Sequence, residues 1–100
     1  MNEKKRDSEA KPLGDLVEKL MKAYQLDERL AEIEVLNQWE TLMGKGVSLR
    51  TKNLFIRDKV LILEMDSSVA RDEIFYMKNI IIQRVNDAAG KEIIEDVYFK

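Results

Sequence analysis

Apolar residues at Leu13, Leu16, Val17, Leu20, Met21 and Tyr24 recur every three or four positions, the spacing of one face of an amphipathic helix. Pro12 suits its first turn, where a missing N–H costs nothing. Residues 1–11 have no apolar side chain between Met1 and Ala10 and read as a flexible N-terminal arm, leaving residues 12–100 as one folded domain. Asp27 is an N-cap candidate for a second helix, whose apolar positions Leu30, Ile33, Leu36, Trp39 and Met43 keep the helical step. Gly44 would end it, unless the pattern at Val47 and Leu49 carries it on with a bend.

The period then changes from helical to alternating. "NLFI" and "VLILEM" are β-prone runs joined by "RDK", a polar turn in which Asp58 tolerates unusual backbone angles, and Leu61, Leu63 and Met65 share one buried face. "DSS" offers hydroxyl caps for a long third helix with the stripe Ala70, Ile74, Met77, Ile81, Val85 and Ala88, stopped by Gly90. Val97 and Phe99 alternate with charged or polar neighbours in a last strand. The order α-α-β-β-α-β predicts an α+β fold, a three-stranded sheet covered by helices on one face. The other face stays open to solvent or a partner and is the first place to look for binding.

Composition narrows the chemistry. One hundred residues with 45% hydrophobic content support one core. With no cysteine and no histidine, disulfide frameworks, thiolate metal sites and the commonest general base are absent, and no carboxylate spacing points to an acid–base pair. No apolar run is long enough to span a bilayer and none follows the charged start as a signal peptide would. The expectation is a cytoplasmic, non-enzymatic protein without cofactor, metal or small-molecule substrate. Net charge is −2, yet it is unevenly spread: residues 13–44 carry seven acids against three bases, and residues 45–59 carry five bases against Asp58 alone.

Taken in order, "WETLMG" (Trp39 to Gly44), "VSLRT", "LFIRDKVLILEMDSS", the early "RDEI" of the long helix and the closing "IIEDVYF" resemble the DciA-like proteins, a short bacterial family long catalogued only as a domain of unknown function. The resemblance covers residues 13–100. It implies a KH-like domain and, for characterised members, a role in chromosome replication: binding the replicative DNA helicase, helping it load, and having affinity for DNA. Those members are not ATPases, in keeping with the absence of a GxxxxGK[ST] phosphate loop; "GKG" is neither that loop nor the GXXG clamp of a true KH domain.

Individual residues carry competing readings. Trp39 belongs to the core by its helical spacing, with a partner-groove anchor as the alternative. Lys45, Arg50, Lys52, Arg57 and Lys59 are either a solvated rim or a patch that tracks phosphates, helped by Ser48, Thr51 and Asn53. Phe55 reads as core and would stack on a base only if it pointed outward. Phe75 and Tyr76 stand off the main stripe and either pack on the N-terminal helices or offer an apolar patch to a partner protein. The function that fits is an accessory factor in DNA replication with the replicative helicase as partner and DNA contact in addition. The alternative is a protein-interaction adaptor that never touches nucleic acid.

Overall fold

The two β-prone runs pair as an antiparallel hairpin, β1 (Thr51–Arg57) and β2 (Val60–Met65). Asp58 and Lys59 form its two-residue turn, both with positive φ (50° and 62°), the twist that a tight hairpin demands. Leu54 sits opposite Leu63 and Ile56 opposite Leu61, with a bulge at Lys52 between the Thr51 and Asn53 pairings. The closing strand β3 (Asp96–Phe99) lies parallel to β2, with Leu61 beside Val97 and Leu63 beside Phe99. The sheet is thus three-stranded and mixed, in the order β1-β2-β3.

This computed structural model describes residues 12–100 in full and residues 2–11 as backbone alone; the arm expected over residues 1–11 lies outside the fully described residues. Helices come in five pieces: α1 (Asn2–Leu36), α2 (Trp39–Met43), α3 (Lys45–Arg50), α4 (Ser68–Phe75) and α5 (Lys78–Ala89). The chain divides into two compact units, residues 1–30 and residues 31–100. In the first unit, Leu13, Leu16, Val17, Leu20, Met21 and Tyr24 lie on α1 and are all more than half exposed.

The second unit holds the core. Leu61, Leu63, Ile81, Val85 and Ile94 are fully enclosed, and Val35, Trp39, Ile74 and Val97 pack with them. Each such aliphatic side chain contributes about 1.5–3 kcal/mol by leaving water. Trp39 is core, as its spacing indicated, and its indole Nε1 donates to Thr51 Oγ1 at 3.0 Å while that hydroxyl donates to the Val47 carbonyl at 2.7 Å. One hydroxyl therefore links α2, α3 and the start of β1.

Three helix assignments need correction. Pro12 stands inside α1, ten residues after its start, and not in its first turn. Asp27 does not start a helix, because α1 runs through it without interruption. From Asp15 to Leu36 there is neither glycine nor proline, and the strong helix formers around Asp27 outweigh its modest penalty inside a helix. The buried side chains of the expected second helix are Val35, Trp39 and Met43, while Leu30 and Ile33 stay exposed. The long third helix is also two helices: Tyr76 and Met77 take bridge-like angles (φ −70°, ψ −9°; φ −96°, ψ 10°), and the Met77 N–H bonds to Ile74 O three residues back. The change of axis lets Ala70 and Ile74 from one piece and Ile81 and Val85 from the other reach the same core, and it leaves Ala88 exposed.

The helix stops match expectation. Gly44, at φ 90° and ψ 160°, separates α2 from α3, and Gly90 closes α5 in the left-handed region at φ 72°. Ser67 caps α4, its Oγ accepting from the Ala70 N–H at 3.2 Å.

Candidate functional site

Strand alternation sorts the sheet into two faces. Leu54, Ile56, Leu61, Leu63, Val97 and Phe99 turn toward the helices, so their neighbours turn away from them. On that outer face Phe55, Ile62 and Tyr98 form one cross-strand row over all three strands. Arg57, Val60 and Asp96 form the next row, and Asn53 stands opposite Glu64 on the other side. Phe55 is 45% exposed and Tyr98 58%. The assignment of Phe55 to the core is therefore corrected: pairing Leu54 with Leu63 sends it outward.

The five candidate cations divide into distinct groups. Arg50 is engaged: its Nε pairs with Asp66 Oδ1 at 3.3 Å and its Nη2 donates to Ser67 Oγ at 3.1 Å, clamping the end of α3 to the start of α4. With both partners about half exposed, that pair adds little stability but does occupy the guanidinium. Lys52 sits at the β1 bulge, Arg57 ends β1 and Lys59 is the second residue of the hairpin turn; all three are exposed. Lys52 and Arg57 are five residues apart on the strand, about 16 Å by strand geometry. Lys45, also exposed, begins α3 and belongs to a different element. The hairpin thus gathers three of the five, two on one edge strand and one in its turn. Among the described residues none of these three makes an ion pair.

Carboxylates on the outer face are committed elsewhere. Glu64 Oε1 accepts from Asn53 Nδ2 at 2.8 Å. Asp96 Oδ1 lies 2.6 Å from Lys78 Nζ and accepts from the Val97 N–H at 2.8 Å. The lysine hydrogen bond, and next the backbone one, hold the Asp96 carboxyl below the ordinary carboxylate range.

Phe75 and Tyr76 come at the end of α4 and the residue after it. Both are more than half exposed, Tyr76 at 87%, and their rings meet edge to face at 5.8 Å. Phe75 also meets Phe99 of β3 at 5.4 Å. Beside them is an open depression of about 610 Å³ whose walls include Arg71, Phe75, Lys78, Tyr98 and Phe99. Among the described residues no group of acids, histidines or cysteines has the arrangement of a metal site. Nor is any described helix long and apolar enough to cross a membrane.

Sequence reasoning did not single out Tyr98, although its place between the inward Val97 and Phe99 carried the signal. It also passed over Asn86, whose Oδ1 accepts from the N–H groups of Ile93 and Ile94 at 2.9 and 3.0 Å while its Nδ2 donates to Ile94 O at 2.9 Å. That side chain holds the loop that delivers β3, and with it Tyr98, to the sheet.

A family model described as "Dna[CI] antecedent, DciA" matches residues 12–99. No curated protein and no solved structure matches the chain.

Proposed function

This chain belongs to the DciA family, whose role is tied to loading of the replicative helicase, and from that premise we propose that it is a non-enzymatic accessory factor of DNA replication that binds the helicase directly and contacts DNA in the cytoplasm. The observation that carries the reading is the extent of the family match, which takes in the larger part of the first compact unit and all but the final residue of the second. The order α-β-β-α-α-β from α3 onward, with a mixed sheet, supports the KH-like class that the family resemblance implies.

Two surfaces would serve the two partners. Phe75 and Tyr76 supply a solvent-exposed aromatic pair, the kind of side chain that dominates binding energy when a partner buries it. Lys52, Arg57 and Lys59 line one strand and its turn, a disposition suited to successive phosphates, with Lys45 as an outlying contact. Arg50 supports the α3 to α4 junction in this reading and has less freedom to meet a phosphate.

The test is titration of the purified chain against the replicative helicase of its own host, with and without single-stranded DNA. Saturable binding that Phe75→Ala/Tyr76→Ala weakens at least tenfold is expected. DNA binding that tightens as salt falls, and that Lys52→Gln/Arg57→Gln/Lys59→Gln reduces, is expected alongside. Absence of helicase binding in both conditions would remove the loading role. Helicase binding without DNA binding at low salt would leave an adaptor that acts through protein contacts alone.

A further inference from the structure

We propose that the helix-free face of the sheet is a stacking platform for the bases of single-stranded nucleic acid, with Phe55 and Tyr98 each receiving one base across Ile62. This deepens the DNA-contact half of the function proposed above and rests on it.

The geometry starts from the pairing register. Phe55, Ile62 and Tyr98 occupy one cross-strand row, so the two rings are separated by two strand spacings, about 10 Å. Both rings project from rigid strands rather than loops, and each keeps about half its surface in contact with water. Aromatic side chains that cost free energy to leave exposed, at matching positions on opposite edge strands, form a flat apolar strip. Ile62 fills the floor between them.

Charge identifies the class of occupant. Lys52, Arg57 and Lys59 follow β1 and its turn against the single acid Asp58, and none of the three has an ion-pair partner among the described residues. The two carboxylates on the same face are already engaged, Glu64 by Asn53 and Asp96 by Lys78. A ligand that brings anions along one edge and flat apolar rings across the middle meets both features. A single strand does so, because its bases can splay out and lay their faces on side-chain rings while its phosphates follow the cations. A duplex does not, since its bases are already stacked on each other and present only edges. Stacking of this kind tolerates any base sequence.

The experiment is fluorescence anisotropy of the full chain with a labelled oligothymidylate and, in parallel, a blunt duplex of equal length, each over a salt series. Phe55→Ala and Tyr98→Ala should each weaken oligothymidylate binding roughly 5- to 150-fold, the range for loss of one stacked base. The slope against salt should stay unchanged, Tyr98→Phe should bind like the unmodified chain, and duplex affinity should not move. Arg57→Gln/Lys59→Gln should instead flatten the oligothymidylate salt slope by about 0.7 for each phosphate left without its cation. Far-ultraviolet circular dichroism of each variant secures the fold.

If Phe55→Ala/Tyr98→Ala binds oligothymidylate as tightly as the unmodified chain while the charge variant weakens it, DNA contact stands and the stacking platform is wrong. If the unmodified chain binds no strand at low salt, the platform and the DNA half of the function fall together. If the double aromatic variant loses the purified helicase and keeps its DNA affinity, the face is a protein-docking surface and the proposal is overturned.

Discussion

Replacing Asn86 by alanine tests whether one side chain holds the third strand in place. The amide makes three hydrogen bonds to the loop between α5 and β3, two accepted by Oδ1 and one donated by Nδ2, all between 2.9 and 3.0 Å. A hydrogen bond of this kind contributes about 1 kcal/mol net, and a peptide group left unpaired and buried costs about 1–3 kcal/mol. Ile93 and Ile94 are buried but Glu92 and Glu95 beside them are exposed, so water can reach part of the loop. The expected loss for Asn86→Ala is therefore about 2–4 kcal/mol. Asn86→Asp keeps both acceptor bonds and loses the donor, setting a carboxylate against the Ile94 carbonyl, so it should fall between alanine and the unmodified chain. Urea unfolding followed by the emission of Trp39, the single tryptophan and a buried one, reads the change. An Asn86→Ala variant that unfolds within about 0.5 kcal/mol of the unmodified chain would refute the account, as would an aspartate variant less stable than the alanine one.

Gly44→Ala should cost about 1–3 kcal/mol, because φ 90° with ψ 160° is a region nearly confined to glycine; no atom lies within 4 Å of where the new Cβ would sit, so the whole loss is backbone strain and should appear undiminished in the same urea assay. Lys78→Met should return the Asp96 carboxyl toward its ordinary pKa, read by carboxyl NMR over an acid titration. In the unmodified chain the depressed pKa means that the pair's stabilisation is present above the ordinary carboxylate pKa and is lost as pH falls through the native value, so the variant's stability should depend less steeply on pH in that acid window.

Sequence alone determined the elements whose signals are local. The hairpin turn, the stops at Gly44 and Gly90, the Ser67 cap and the alternation of Val97 and Phe99 depend on the backbone freedom or hydrogen-bonding of a few neighbouring residues, and each stands where the pattern put it. The order of helices and strands, and the open face of the sheet, followed from those signals. Other matters were decided by tertiary structure. Asp27 is as good inside a helix as at its start when nothing around it breaks the helix, so capping preference could not divide α1. The break at Tyr76–Met77 has no glycine or proline to mark it and arises because two short helices, unlike one long one, can both face the core. Phe55 lies in "NLFI", where three successive apolar residues conceal the alternation. Only the partners Leu63 and Leu61 on β2 settle that Leu54 and Ile56 turn inward and that Phe55 joins Tyr98 on the open face. Likewise, the formal charge of Arg50 is legible in the chain, but its engagement by Asp66 and Ser67, sixteen and seventeen residues away, exists only once α3, the hairpin and α4 have come together.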